Sequence, residues 1–100
     1  MRDVIKVNTV IHNVFAGKIG AVPFVAKVCD VKSVYGIDDG RVIKLYLFSE
    51  DGEREVATYE RGWERYPKGI YEETMEKLLK FCDKLPPADL WSFPGAKVNN

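Results

Sequence analysis

The chain contains few of the residues from which most catalytic and metal sites are built. It has one histidine, His12, and its two cysteines, Cys29 and Cys82, are too far apart to form a CxxC pair. No phosphate-binding glycine pattern and no GxSxG nucleophile motif occurs. We therefore expect two free thiols, no metal, no cofactor and no enzymatic activity.

Long apolar runs and an excess of one charge are also missing. No apolar stretch approaches the roughly 20 residues that a membrane helix needs, and the first residues, MRDVIKVNTV, lack the pattern of a secretory signal. Fifteen basic residues balance fifteen acidic ones, so the net charge is zero. This balance argues against a general nucleic-acid binder, which would carry a strongly basic face. We expect a cytoplasmic protein without membrane contact.

What the chain does contain is enough apolar sequence for one folded domain. Its 100 residues are 46% hydrophobic and 30% charged, which argues against disorder. Residues 1–100 are expected to form a single domain. In the tail, residues 88–100, Trp91 and Phe93 would dock on the body or the segment would fray.

The N-terminal half predicts a hairpin centred on a glycine turn. Residues Val4 to Ile11 are strand-like, and the chain then continues or bends near His12-Asn13. Gly20-Ala21 predicts a tight turn with glycine first. Pairing outward from it sets Ile19 opposite Val22, Gly17 opposite Phe24, Phe15 opposite Ala26 and Asn13 opposite Val28.

A second hairpin follows a loop over residues 30–40. Asp51-Gly52 favours a type I′ turn, in which both central residues have positive φ. The register that follows pairs Phe48 with Glu55, Leu47 with Val56, Tyr46 with Ala57, Leu45 with Thr58, Lys44 with Tyr59 and Ile43 with Glu60.

One helix is predicted from Tyr71 to about Lys84. Tyr71, Met75, Leu78, Cys82 and Leu85 recur at spacings of four and three, which forms one apolar stripe. The predicted fold class is α+β, with a four- to five-stranded, mainly antiparallel sheet made of two hairpins and one C-terminal helix on one face. The helix would cover Phe15, Ile19, Phe24, Val28, Ile43, Leu45, Leu47 and Val56.

The other face of the sheet is the first candidate for function. In the predicted register it carries Tyr46, Phe48 and Tyr59 among charged residues. An exposed aromatic patch of this kind usually marks a partner contact. A protein partner, or a homodimer through the 41–61 hairpin, would use this face.

The segment from Arg61 to Lys68 has two interpretations. Arg61, Trp63, Arg65 and Tyr66 are residue types that dominate interface hot spots, and with Lys68 they would also suit stacking on a single-stranded nucleic acid. Alternatively, Trp63 and Tyr66 fill the gap between the sheet edge and the helix, because burying a tryptophan is a large gain for a small domain.

An enzyme remains as a further alternative. The predicted register sets His12 across from Cys29, which would allow a Cys–His pair. The non-catalytic interpretation is a half-buried strand histidine beside a buried thiol. Asp38 and Asp39 lack the alternating spacing of a calcium loop and are expected to be turn residues.

Three stretches resemble a family of short uncharacterised proteins from bacterial phages and mobile elements. They are GKIG…FVAKVCD, YGIDDGRVIKLYL and EVATYERGW, which span roughly residues 17–85. The resemblance implies a sheet closed by a helix and an accessory role in a bacterial cell, and no catalytic residue follows from it.

The function expected from the sequence is therefore a small non-catalytic protein-interaction protein of phage or mobile-element type. Its partner would be a host or phage protein. One version is an inhibitor of a host defence system, similar in role to an anti-CRISPR protein. The zero net charge does not favour this version, because a nucleic-acid mimic would be strongly acidic. The alternatives are a weak single-stranded nucleic-acid-binding module and an enzyme that uses His12 and Cys29.

Overall fold

The computed structural model of the protein describes residues 4–85. It contains six strands and one α-helix. Their bounds are β1 Ile5–Ile11, β2 Val14–Ile19, β3 Val22–Val28, β4 Val42–Phe48, β5 Glu55–Glu60, β6 Trp63–Arg65 and α1 Ile70–Asp83. A 3-10 turn over Ile37–Asp39 lies between β3 and β4. The prediction for the tail at 88–100 falls outside the described residues.

The six strands form one sheet in the order β1-β2-β3-β4-β5-β6, and every neighbouring pair is antiparallel. This confirms the α+β class with a C-terminal helix. The predicted strand number of four to five is wrong, because Trp63–Arg65, in the segment predicted as a loop, forms the short strand β6. Arg61 has a φ of 62°, and the turn at Arg61-Gly62 lets Trp63–Arg65 fold back onto β5.

The β2–β3 hairpin follows the predicted pairing. From Ile19↔Val22 to Val14↔Lys27, the partners of β2 and β3 are those expected from the turn at Gly20-Ala21, where Gly20 has a φ of 59°. Between β1 and β2 the chain bends at His12-Asn13, with Ile11 opposite Val14. A β-bulge at Asn8 lies between Val7↔Gly17 and Thr9↔Ala16.

The second hairpin departs from its predicted register after one pair. Phe48 lies opposite Glu55 as expected, but Leu47 then pairs with Ala57, because Val56 is an extra residue in β5. The bulge shifts the remaining pairs by one and exchanges the faces of β5. The predicted type I′ turn is also wrong, since Gly52 alone has positive φ there. The loop is closed by the Gly52 N–H, which donates to the carbonyl oxygen of Ser49 at 2.7 Å.

The core lies between the sheet and the helix. Phe15 packs edge-to-face on Phe24 at 5.7 Å between ring centroids and also contacts Phe81 of α1 at 6.4 Å. The predicted helical stripe is confirmed, with Tyr71 half-buried at its start and four buried members, Met75, Leu78, Cys82 and Leu85, of which Leu85 follows the end of α1.

Two residues predicted for the core are only half-buried, although Val56 still packs against the core, and β-bulges explain both. Ile43 is the extra residue where the register of β3 and β4 shifts, so Val42 is buried at 1% exposure and Ile43 is only half-buried. Val56 is likewise half-buried, and Ala57 takes its place in the core.

Candidate interaction site

One face of the sheet is directed away from the helix. Its middle row runs across all six strands through directly paired residues, Thr9, Ala16, Val25, Tyr46, Thr58 and Arg65. The neighbouring row, which includes Phe15, Ala26 and Leu45, is buried against α1. Side chains alternate between the two faces of a sheet, so the side chains of the middle row point away from α1. We call the surface around this row the open sheet face.

Lysines occupy the open sheet face along β1 to β4. These four strands contain four lysines and no acidic residue. Lys6 lies directly opposite Lys18, and Lys27 lies directly opposite Lys44. Like charges in directly opposed positions destabilise a sheet. The two lysine pairs are therefore a cost to the isolated fold and a candidate recognition feature.

Carboxylates approach the same face from β5 and β6. Lys44 is paired with Glu60, and the hydroxyl of Tyr46 donates a hydrogen bond to Oε2 of Glu60. This hydrogen bond, together with partial burial and the nearby negative charge of Glu60, raises the pKa of Tyr46 to about 12. The open sheet face is therefore basic over β1–β4 and mixed at β5–β6.

Tyr59 is not part of this face, which corrects the prediction from sequence. The bulge at Val56 turns Tyr59 towards the core, where it is 7% exposed and its hydroxyl donates to the carbonyl oxygen of Tyr35 at 2.8 Å. Its ring packs edge-to-face on Trp63 at 5.0 Å, and Trp63 packs in the same way on Tyr66 at 4.9 Å. Trp63 is half-buried against the core, which agrees with its interpretation as a structural plug.

The seven residues predicted for partner binding are thus divided among four places. Tyr46 and Phe48 are on the open sheet face, and Arg65 ends its middle row. Tyr59 and Trp63 belong to packing. Arg61 lies over the ring of Tyr35, with its guanidinium carbon 5.4 Å from the centroid. Tyr66 is exposed beside a separate groove.

That groove lies between the β4–β5 turn, β6 and the start of α1. It is a cavity of about 490 Å³. Its walls include three cationic side chains, two tyrosines and one carboxylate: Arg54, Arg65, Lys68, Tyr66, Tyr71 and Glu55. The sequence pointed to Arg65, Tyr66 and Lys68 but missed Arg54 and Tyr71, because only the fold brings these residues beside the others.

The residues of the proposed Cys–His pair are placed differently from the prediction. His12 is in the β1–β2 turn with a φ of 58° and is exposed, while the β2–β3 ladder ends at Val14↔Lys27. Cys29 is half-buried beyond the end of β3. Asp38 and Asp39 are in the 3-10 turn, as expected for turn residues. Among residues 4–85, no group of three or more His, Cys, Asp and Glu side chains is placed to hold a metal ion.

A family model described as a domain of unknown function, DUF7678, matches residues 13–83. The chain belongs to this family. No curated protein and no solved structure matches the chain.

The DUF7678 match covers β2 to α1 and leaves out β1. The DUF7678 region includes Lys18, Lys27 and Lys44 of the open sheet face and the whole groove beside β6. Within residues 4–85 no helix combines the length and apolarity that crossing a membrane requires.

Proposed function

We propose that this protein is a small non-catalytic interaction protein of phage or mobile-element type, which binds an acidic surface of a partner protein through the open sheet face. The observation that carries the proposal is the segregation of charge on this face. The chain as a whole is neutral, yet β1 to β4 contain four lysines and no carboxylate. An inhibitor of a host defence system is one function in this class.

The pairing of the lysines gives the face its preference for an acidic partner. Lys27 and Lys44 repel each other across neighbouring strands, as do Lys6 and Lys18. Carboxylates placed over these pairs relieve the repulsion and steer association through complementary potentials. Ala16 and Val25, both half-buried, lie between the pairs and supply apolar contact area.

Two features favour a protein partner over a nucleic acid. Glu55, Glu60 and Glu64 surround Tyr46 closely enough to raise its pKa. Tyr46, the aromatic residue in the middle of the face, has its hydroxyl bonded to Glu60. Phosphates that followed the lysines towards β5 would therefore meet carboxylates. A single-stranded nucleic acid is bound best where aromatic rings lie in a continuously positive groove.

A homodimer through the 41–61 hairpin stays a prediction. Two copies that met through the open sheet face would bring Lys27 and Lys44 of both chains together. The excess of positive charge on β1 to β4 opposes such a pairing, so the partner that fits best is a different, acidic protein.

The decisive experiment compares two charge-reversed variants in capture from a lysate of the source cells treated with nuclease. Lys27→Glu/Lys44→Glu changes the open sheet face. The control, Lys80→Glu/Lys84→Glu, makes the same change in charge at exposed positions near the end of α1. A partner retained by wild type and control but lost from the face variant is then purified, and its affinity is measured at two salt concentrations.

We expect the face variant to bind the purified partner at least about tenfold more weakly, and the wild-type affinity to fall with salt because exposed charges are screened. Equal binding by the face and control variants would contradict the proposal. Tight, salt-dependent binding of an oligonucleotide that the face variant loses would instead assign the open sheet face to nucleic acid.

A further inference from the structure

The groove beside β6 concentrates positive charge that is not used by the fold. Arg54 comes from the β4–β5 turn, Arg65 from β6 and Lys68 from the segment that precedes α1. Within residues 4–85, none of these three side chains has a hydrogen bond or an ion pair. Three cations from separate segments converge on one cavity and remain available to a ligand.

The two tyrosines of the groove are held in place by residues that do not line it. The hydroxyl of Tyr66 donates to Oε2 of Glu72 at 2.8 Å, and that of Tyr71 donates to Oε1 of Glu50 at 3.3 Å. Tyr66 is also fixed by its edge-to-face contact with Trp63. The hydroxyls are thus engaged with carboxylates, and the two rings form the walls of the groove. A fixed aromatic wall is suited to stacking on a planar ligand.

The negative charge inside the groove is limited. Glu55 is its one acidic lining residue, and Oε2 of Glu55 accepts a hydrogen bond from the hydroxyl of Thr58. The groove also adjoins the N-terminus of α1, where Gly69 provides no side-chain cap. The dipole of the helix adds to the three cations at this end. Glu72 and Glu73 in the first turn of α1 offset part of this field, so the two arginines and the lysine supply the charge that would hold an anion.

We propose that this groove binds a phosphate monoester that carries an aromatic ring, the chemistry shared by aryl phosphates and nucleoside monophosphates. Arg54, Arg65 and Lys68 hold the phosphate, because guanidinium groups match phosphate oxygens in pairs and the lysine adds a point charge. Tyr66 and Tyr71 contact the ring. The cavity of about 490 Å³ falls within the usual range for small-ligand sites, roughly 300–1,000 Å³.

The proposal does not depend on the function proposed for the open sheet face. Arg65 is shared by the two surfaces, whereas Arg54 and Lys68 belong to the groove alone. The variant Lys27→Glu/Lys44→Glu should therefore bind phosphate monoesters within about twofold of wild type. This measurement separates a failure of one proposal from a failure of the other.

The test is a titration of the isotope-labelled protein followed by nuclear magnetic resonance, with four probes: inorganic phosphate, phenyl phosphate, adenosine 5′-monophosphate and phenol. We expect the amide signals of Arg54, Arg65 and Lys68 to shift with both phosphate monoesters. Phenyl phosphate should bind more tightly than inorganic phosphate, and phenol should cause no shift. The ratio of the two monoester affinities distinguishes an aryl phosphate from a nucleotide as the natural ligand.

Three variants assign the binding to the groove. Lys68→Gln and Arg54→Gln should each weaken binding of phenyl phosphate by at least about tenfold, because each removes charge-assisted hydrogen bonds to the phosphate. Arg61→Gln is the matched control, because it removes an arginine that is also exposed and lies over Tyr35 outside the groove. All three positions are on the surface, so the fold should persist, and the unchanged remainder of each spectrum verifies this.

Two results would overturn the proposal. The first is the absence of shifts at Arg54, Arg65 and Lys68 when phenyl phosphate is present at tens of millimolar. The second is an equal loss of affinity in Lys68→Gln and Arg61→Gln, which would show that binding follows net charge and not the groove.

Discussion

Arg41 joins the end of the helix to the sheet, because its Nη1 donates a 2.5 Å hydrogen bond to the carbonyl oxygen of Leu85. The same nitrogen donates to the carbonyl oxygen of Asp83 at 3.1 Å, and Nε donates to that of Cys29 at 2.8 Å. The last carbonyl groups of a helix have no partners within the helix. One buried guanidinium therefore satisfies the helix end and fixes it beside the end of β3.

We expect Arg41→Ala to lower the free energy of unfolding by about 2–4 kcal/mol, since it removes three charge-assisted hydrogen bonds and leaves carbonyl groups without donors. Arg41→Lys should recover only part of this loss, because an ammonium group cannot reproduce the fork of the guanidinium. Urea unfolding measures both. Arg54→Ala, at an exposed position, is the control and should stay within about 0.5 kcal/mol of wild type. Equal stability of the Arg41→Ala and Arg54→Ala variants would refute the role of Arg41.

Gly17 allows β1 to approach β2 closely. A Cβ atom at this position would overlap the carbonyl oxygen of Lys6 and lie 2.9 Å from the Cα atom of Val7. We expect Gly17→Ala to cost at least about 3 kcal/mol, because backbone atoms of a paired strand cannot move aside without losing the ladder. The midpoint of urea unfolding reports the loss.

The matched control for Gly17→Ala is Gly62→Ala. No atom lies within 4 Å of a Cβ at Gly62, and Gly62 is not among the glycines with positive φ. Its substitution should change the free energy of unfolding by less than about 0.5 kcal/mol. A similar cost at both positions would mean that the close approach of the strands is not what requires a glycine at position 17.

The two central hairpins show how far strand pairing can be predicted from the sequence. The β2–β3 pairing follows from the turn at Gly20-Ala21, because no bulge interrupts those strands. The β4–β5 pairing is predicted correctly only at Phe48↔Glu55. After it, the sequence Val56-Ala57 allows either residue to face the core. A bulge depends on packing across the whole sheet, and local alternation does not encode it.

The same bulge limits what could be predicted of the candidate site. Tyr46 and Phe48 precede it along the ladder and are on the expected face, whereas Tyr59 follows it and is turned into the core. Predicting the lysine pairs requires a different fact, namely whether β1 folds back onto β2. Lys6 faces Lys18 only because the chain bends at His12-Asn13, a choice that the sequence left open.

The thiol of Cys82 should be unreactive in the folded protein. It is fully buried, and burial raises the pKa of its thiol to about 12, with a further contribution from the charge of Asp83. Because the thiolate is the reactive form, a thiol reagent at pH 8 should modify Cys82 only through opening of the fold. We expect fast labelling of at most one thiol per chain, and labelling of both in denaturant.

The control for this assignment is Cys29→Ser, since Cys29 is half-buried and not in the core. In the folded Cys29→Ser variant we expect only slow labelling, which is that of Cys82. Its rate should rise with urea as the open state of the protein becomes populated. Rapid modification of Cys82 in folded Cys29→Ser would contradict the structure around α1.

Because of the hydrogen bond from Tyr46 to Glu60, the stability of the folded protein falls as the pH rises through the alkaline range. The pKa of Tyr46 is raised from the usual 10.0 of a tyrosine to about 12, chiefly by this hydrogen bond. In the unfolded chain the phenol ionises near pH 10, while the folded protein keeps its proton. The contribution of Tyr46 is therefore fully present below pH 10 and is lost between pH 10 and about 12. The difference in tyrosinate absorbance between wild type and Tyr46→Phe follows this titration.

Glu60→Gln tests the cause of the shift. It removes the negative charge and weakens the acceptor, so the pKa of Tyr46 should fall towards 10 while the fold is retained, as checked by circular dichroism. Glu50→Gln is the matched control, because Glu50 accepts from Tyr71 and not from Tyr46. A pKa near 10 for Tyr46 in the wild-type protein would show that its hydroxyl is not bonded to Glu60. The mixed charge at the β5–β6 side of the open sheet face, which argues against a nucleic-acid partner there, would then need another basis.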